Sequence, residues 1–493
     1  MLTAAAMVKV RIYVHMDRLD AVLHGLGSAE LLHLTAVSGV DKYKPSVKPM
    51  DSDAIKRISE LETRIKKLAS AKEVELTPSA TAEYIHIEKL EEELSKAEDL
   101  DGKRLSEIYG ALNVFRRIEE AKRWMVRTER VALMEGWVPK KRLDELRETV
   151  EESSGGLGFV EEVENSRRSE KEDKPPTLLS NPGFMKAFEK LTLAFGVPDY
   201  HEIDPTPIMA FSFPIIFGLM FGDLGHGILL VIFGLLFKLL KRRVKPVEGG
   251  MVNMVLEAST LMVLCGISAT FFGYLYGELF GSEEWFHELT GLEEPPWFPP
   301  FEEPMTMLKY SIYVAVAQIS LGLVMDIINK VRTKEYVDAI VGPGLWLWLY
   351  LSGAYLVVKY GMKVFSLIFD FTVIGPYVVL PFAAMMLGRI ARHRVEGFTE
   401  ALDALLSSFS NSISYSRILA LKMIHTAFSR ILIPTSLMMV PLFLFGTLAL
   451  IMILELLITF LHTLRLHWIE WFTKFYRGSG VMFQPFSLGV VHG

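Results

Sequence analysis

From residue 207 to about residue 470 the chain returns repeatedly to apolar runs, with charges confined to short islands between them. Each run is roughly the length that spans a bilayer, ~20 residues. No other feature constrains the fold as much. In hydrocarbon every backbone N–H and C=O must be satisfied inside the protein, which leaves helices or a closed barrel. Runs this long, without apolar–polar alternation, are helices. Residues 1–200 are different, being rich in Glu, Lys and Arg. The expected architecture is therefore an all-α polytopic membrane domain over residues 201–493 behind an N-terminal cytosolic arm over residues 1–200. A single cysteine, Cys265, excludes an internal disulfide framework and any cysteine-based zinc site. The opening stretch MLTAAAMVKVRIYVHMDRLD lacks the apolar core of a signal peptide and meets Asp17, Arg18 and Asp20 at once. The arm is expected to stay in the cytosol.

Within the arm, KVRIYVHMDRLDAVLHGLG begins as an alternating strand and becomes an amphipathic helix. RVALMEGWVPKKRLDELRETVEES, residues 130–153, repeats the plan as strand, a Gly136–Pro139 turn, then helix. The two units predict one small α/β lobe of ferredoxin-like type, from residues 7–50 and 126–165. Between them Ile58, Leu61, Ile65 and Leu68 fall at 3-4-3 spacing, and after a break at Pro78 so do Ile87, Leu90 and Leu94. That pattern predicts a helical hairpin or short coiled coil over 51–125, the alternative being two ordinary amphipathic helices on a globular core. Residues 165–200 begin as a charged linker. No phosphate-cradling loop occurs, so no nucleotide site, cofactor or metal is expected. The balanced charge gives no reason to expect nucleic acid.

The candidate crossings are 252–280, 309–329, 338–359, 366–388, 397–433 and 436–466. The stretch 207–240 would make one helix of about 50 Å, but its middle reads FGDLGHG, and Gly222, Gly225 and Gly227 favour a turn. The densest basic island, KLLKRRVKP at 238–246, belongs on the cytosolic side. Two short helices of about 22 Å each, joined near Asp223–Gly227, satisfy both observations. Residues 281–308 contain no Lys or Arg and fall outside, while 329–335, 388–397 and 474–480 fall inside. The count is then eight crossings with both termini cytosolic. Seven would put two basic islands on the wrong side.

Inside the spans stand residues that lipid does not tolerate. Residues 397–433 carry Asp403, Ser407, Ser410, Arg417 and His425 among further serines. Helix packing explains serines. It does not explain a guanidinium about 21 Å along a helix from Asp403. In the last span, 436–470, Glu455 interrupts a leucine and isoleucine run, with His462 two turns on and Arg465 adjoining it. His467 and Trp468 suit an interfacial anchor. An intramembrane carboxylate with no metal cluster nearby is most often part of a proton or ion path, and a histidine near it can change protonation around neutral pH. Carboxylates are few in these spans, so Arg417 is expected to pair with an acid on another subunit. An acid of its own chain closing it off would count against that role.

With these residues in view, the chain resembles a known family, the a subunit (subunit I) of rotary V/A-type ATPases and ATP synthases. EGWVP (135–139), PTPIMAFSFPIIFGLMFGDLGHG (205–227), FFGYLYGELFG (271–281), SYSRILALKMIH (414–425) and LHTLRLHWIEWFTKFYRGSGVMFQPF (461–486) carry the resemblance, in the family's order. It implies a stator of the membrane sector, itself non-catalytic, in a prokaryotic cell membrane. Two half-channels would exchange H⁺ or Na⁺ with the carboxylates of a rotor ring of small hydrophobic c/K subunits. Arg417 would face those carboxylates, and Arg465 would be the second arginine of the barrier. Glu455, His425 and His462 would line the external half-channel, and Asp403, Ser407 and Ser410 the cytosolic one. Peripheral-stalk subunits and a central-stalk adaptor would be the other partners. The family's distal lobe has no room in the dozen residues around Pro78, so the arm should be short. Two rival functions remain: a secondary antiporter, which usually shows inverted repeats of interrupted helices, and a structural membrane anchor.

Overall fold

The structure, a computed structural model, describes residues 3–37, 48–49, 54–71, 76, 102–163, 174–243, 256–361, 371–434 and 439–489. The chain forms two compact units, one from Ala5–Leu178 with the segment beginning at Gly480, the other chiefly from Leu179–Ser479.

The first unit is built on an antiparallel sheet. Strand β1 (Met7–His15) buries Val10, Ile12 and Val14 by period-two alternation. After helix α1 (Leu19–Ala29), the short β2 (His33–Thr35) follows, and β3 (Lys48–Pro49) pairs with β4 (Val126–Arg127). Strand β5 (Val131–Pro139) lies between β1 and β2, and β6 (Gly158–Glu162) flanks the other side of β1. Leaving out the β3–β4 addition, the order β6-β1-β5-β2 is that of two interleaved β-α-β units, a ferredoxin-like lobe. The expected Gly136–Pro139 turn is instead the end of β5, because β2 lies so close that a Cβ at Gly136 would stand 2.5 Å from the His33 carbonyl oxygen. Neighbouring Glu135 is fully buried, 3.1 Å from Lys9 Nζ and bonded to Arg11. Helix α2 (Ala54–Ala71) packs Ile58, Leu61 and Ile65 against Leu105, Ile108 and Leu112 of α3 (Gly102–Lys122). The expected second seam at Ile87, Leu90 and Leu94, the break at Pro78 and the question of a distal lobe fall outside the described residues.

Residues after Gly480 join this lobe, whereas the sequence reading put them with the membrane helices. Phe486 N donates to Leu32 O at 2.8 Å, and Leu488 lies in the lobe core with Val10 and Leu26.

The second unit is helical. Among the described residues, five helices are long and apolar enough to cross a membrane: Leu224–Lys241, Ser259–Tyr276, Pro304–Arg332, Tyr336–Tyr360 and Val440–Lys474. Thr206–Phe221 is a shorter apolar helix. The helices Leu380–His393, Val395–Ser414 and Arg417–Leu432 overlap the sequence ranges of two further expected crossings, but none of them is among the helices long and apolar enough to cross. The 207–240 stretch does break, at Gly222–Asp223. Its second arm, Leu224–Arg243, is longer than the expected half-crossing, about 30 Å at 1.5 Å per residue. Gly225 and Gly227 belong to that helix and not to the turn. Gly227 meets the backbone of Thr270, and Gly273 on the neighbouring helix meets the backbone of Asp223–Leu224, where a Cβ would lie 2.1 Å from Leu224 N. Small residues at both contacts let the two backbones touch.

Candidate functional site

The tip of the hairpin is a buried polar knot. Asp223 Oδ1 accepts from the backbone N–H of His226 at 2.9 Å, capping the second arm, and from that of Phe280 at 3.0 Å. Asp223 Oδ2 accepts from Gly281 N at 2.7 Å. The loop Gly277–Ser282 is held there in an unusual backbone, with φ of 73° at Gly277, 51° at Phe280 and 75° at Gly281. Gly281 must be glycine for a second reason, since a Cβ would stand 2.3 Å from that of Ser429. Beneath the loop, Lys422 Nζ donates to Glu278 Oε2 and to the Gly222 carbonyl, both at 2.6 Å. Both side chains of that ion pair are essentially inaccessible. Thr426 Oγ1 donates to the same carboxylate at 3.1 Å.

Lys422 and Thr426 lie on the helix Arg417–Leu432, which also carries Arg417 and His425. This helix is not continuous with Val395–Ser414: Tyr415 and Ser416 break the segment expected to be one span. Tyr415 fixes the break, buried and donating to Gln318 Oε1 at 3.0 Å. Arg417 therefore opens a helix instead of sitting mid-helix. Its Nη1 stands 3.0 Å from Glu470 Oε1, and its Nη2 donates weakly to Ser414 Oγ at 3.5 Å. The expectation that its acid would come only from another subunit is corrected here, because Glu470 supplies one within the chain. The reason is a register the sequence concealed: the π-helical turn Leu466–Trp471 turns Glu470 inward. The pair is a single contact, the Arg417 side chain keeps 22% exposure against 2% for Glu470, and Glu470 Oε2 has no hydrogen bond among the described residues.

The serines of Val395–Ser414 sort onto two faces. Ser408 Oγ accepts from Trp346 Nε1 at 2.7 Å, and Ser412 Oγ shares a 2.9 Å bond with the Tyr350 hydroxyl. Asp403, Ser407, Ser410 and Ser414 recur at 4-3-4 spacing on the other face, exposed or half-buried, and run toward Arg417. Alongside them Leu406, Phe409 and Ile413 are each more than half exposed.

The remaining expected residues divide between two places. His425 and Glu455 come together, His425 Nδ1 lying 3.2 Å from Glu455 Oε2, both buried. The His226 ring centroid is 5.2 Å from that of His425. His462 is not with them: it is half-buried in the field of Arg417 and Arg465. Arg465 is exposed and makes no ion pair among the described residues. His467, expected to anchor at an interface, is instead core. It is fully buried, with Nε2 2.9 Å from Ser212 Oγ and Nδ1 2.8 Å from the Thr463 carbonyl.

The model of the V-type ATPase 116kDa subunit family matches residues 36–288 and 393–488, most of the chain, including Asp223, His226, Glu278, Arg417, Lys422, His425, Glu455 and Glu470. The chain belongs to that family. It is 26% identical to the A-type ATP synthase subunit I of Pyrococcus horikoshii over 82% of this chain and 62% of the relative. Identity to the subunit of the same name from Methanocaldococcus jannaschii is 28%, covering 87% of this chain and 65% of the relative. A vacuolar proton translocating ATPase 100 kDa subunit of Dictyostelium discoideum is 24% identical, covering 72% of this chain and 58% of the relative. The chain thus spans a little under two thirds of the length of the relatives it matches. In this member of the 116 kDa subunit family, sequence reasoning missed Glu278, Lys422, Glu470 and His226. Lys422 stood inside a quoted motif, and a lysine at that depth was itself a signal.

Proposed function

We propose that this chain is the stator subunit of the membrane sector of a rotary V/A-type ATPase or synthase, supplying two half-channels to a rotor ring. The observation that carries the reading is the polar stripe Asp403–Ser407–Ser410–Ser414 ending at a part-exposed Arg417. An accessible guanidinium at the end of a hydrophilic track, flanked by exposed apolar side chains, suits a surface along which a ring of apolar helices slides. Arg417 would attract each passing carboxylate and release its ion, and its permanent charge would stop ions from bypassing the ring. Glu470 would hold the guanidinium at that surface by one contact and leave most of its N–H groups available. Ions would arrive along the Asp403 stripe on the cytosolic side and by way of His425 and Glu455 on the external side, in a bundle of eight crossings with both termini cytosolic. His462 and Arg465 would stand beside Arg417 and reinforce the barrier. Peripheral-stalk subunits would dock on the arm, and a central-stalk adaptor to the ring would be a further partner. The chain would carry no ATP chemistry of its own.

The test is ATP-coupled ion uptake in vesicles containing the assembled complex. Arg417→Lys is expected to abolish uptake, because a compact ammonium loses its charge when buried and lacks the fork geometry. Substantial uptake by that variant, or failure of the chain to co-purify with a small apolar ring-forming protein, would refute the reading.

A further inference from the structure

Around His226 the structure leaves an unusual quantity of polar capacity unused. His226 and His425 are each 1% exposed, and neither ring nitrogen of either makes a hydrogen bond among the described residues. The same holds for both carboxylate oxygens of buried Glu455. Three bond-forming groups in an apolar interior, held only by the contacts of His226 Nδ1 with Asp223 at 3.1 Å and of His425 Nδ1 with Glu455 at 3.2 Å, carry a large desolvation cost unless something occupies the space between them. The groups are also arranged convergently. One ligand atom from each of Asp223, His226 and His425 lies within 4.8 Å of the others. Asp223 Oδ1 is 3.1 Å from His226 Nδ1. Phe221 and Phe280 wall the group, with ring centroids 4.5 Å from that of His425 and 5.0 Å from that of His226 respectively.

We infer that Asp223, His226 and His425 form a binding site for a divalent transition-metal ion of the zinc class. Two imidazoles and one carboxylate are the donor set such ions favour, whereas an all-oxygen set would point to calcium or magnesium. Bonds of about 2.0–2.1 Å to a tetrahedral ion put ligand atoms roughly 3.4 Å apart. The present spread, within 4.8 Å, would contract to that value on binding. Asp223 is already locked in place by three backbone N–H groups, so it is the rigid member, and the rings are the adjustable ones. Glu455 stands beside His425 Nδ1, where a carboxylate orients a metal-binding imidazole that ligates through its other nitrogen. Three protein ligands leave a fourth position open. The binding rests on this geometry alone. Its consequence rests on the proposed function: an ion held by His425 would fix that imidazole beside Glu455, block the external half of the path and arrest transport reversibly.

The experiment is a titration of the purified full-length chain in detergent with Co²⁺, read by visible d–d absorption. A parallel titration with Zn²⁺ is read by the melting midpoint. The expected result is one ion per chain, intense tetrahedral-type cobalt bands, and a midpoint that rises with Zn²⁺ concentration. His226→Gln and His425→Gln should abolish the bands, and Glu455→Gln should weaken binding by about 10–100-fold, as loss of an orienting partner does. Absence of a stoichiometric cobalt spectrum in the unmodified chain overturns the inference, whether or not the variants fold. So does binding that survives both histidine substitutions, and either result leaves the vesicle uptake assay of Arg417→Lys standing as a separate test.

Discussion

The ion pair of Lys422 and Glu278 offers the sharpest test of how the hairpin tip is held. Lys422→Met removes the ammonium, leaving Glu278 charged in an inaccessible pocket with Thr426 as its remaining side-chain donor and the Gly222 carbonyl without the Lys422 bond. Breaking a buried pair from one side costs about 3–5 kcal/mol. Most of that is the stranded charge, and about 1–3 kcal/mol is the orphaned carbonyl. Adding Glu278→Gln removes the charge. The double variant should therefore recover roughly 2 kcal/mol relative to Lys422→Met, despite carrying one more substitution. At about 2 °C per kcal/mol for a unit of this size, Lys422→Met should lower the melting midpoint by on the order of 6–10 °C, and the double variant by about half that. The assay is a double-mutant cycle of melting midpoints in one detergent. Additive losses, or a Lys422→Met shift under about 2 °C, would show that the two groups are not coupled and that the tip is held by the Asp223 bonds alone.

Other outcomes follow from the same contacts. Glu455→Gln should slow vesicle uptake without abolishing it, and an unchanged rate removes Glu455 from the path. Glu470→Gln should keep an acceptor for Arg417 while freeing its charge, lowering uptake severalfold; full activity would make the pair idle. Gly273→Ala forces a Cβ to within 2.1 Å of Leu224 N, which should cost at least about 1–3 kcal/mol as overpacking and lower the melting midpoint measurably. A midpoint equal to that of the unmodified chain would contradict the close backbone approach.

What could be read in advance, and what could not, separates by the range of the interaction involved. The alternation of β1, the hairpin break and the conspicuous Arg417, His425 and Glu455 within apolar runs are local signals, visible within a few turns. Glu470 was not legible as the partner of Arg417, because a π-helical turn alters which side chains share a face and leaves no mark in a 3.6-residue pattern. His467 sits among aromatic residues near a helix end, which is how an anchor reads. Only Ser212, on a helix 255 residues earlier, shows it to be core. Glu278 lies just past an apolar run and looks like the start of an external loop until that loop folds back over the hairpin. His226 was passed over because its neighbours were glycines, taken as turn-formers, whereas Gly227 is a contact point for the next helix and Gly225 lies against the Phe280 ring.

The lobe core includes Leu488, bonded through its N–H to Gly27 O at 3.3 Å, while all the described helices of the second unit lie between those two residues in the chain. On the ribosome the side chain of Leu488 reaches the lobe core only after the helices between residues 206 and 471 have been made. N-terminal domains ordinarily finish folding before the rest is translated. This one gains Leu488 and its backbone bond to Gly27 only after those helices have been translated, which ties the final packing of the lobe to their synthesis.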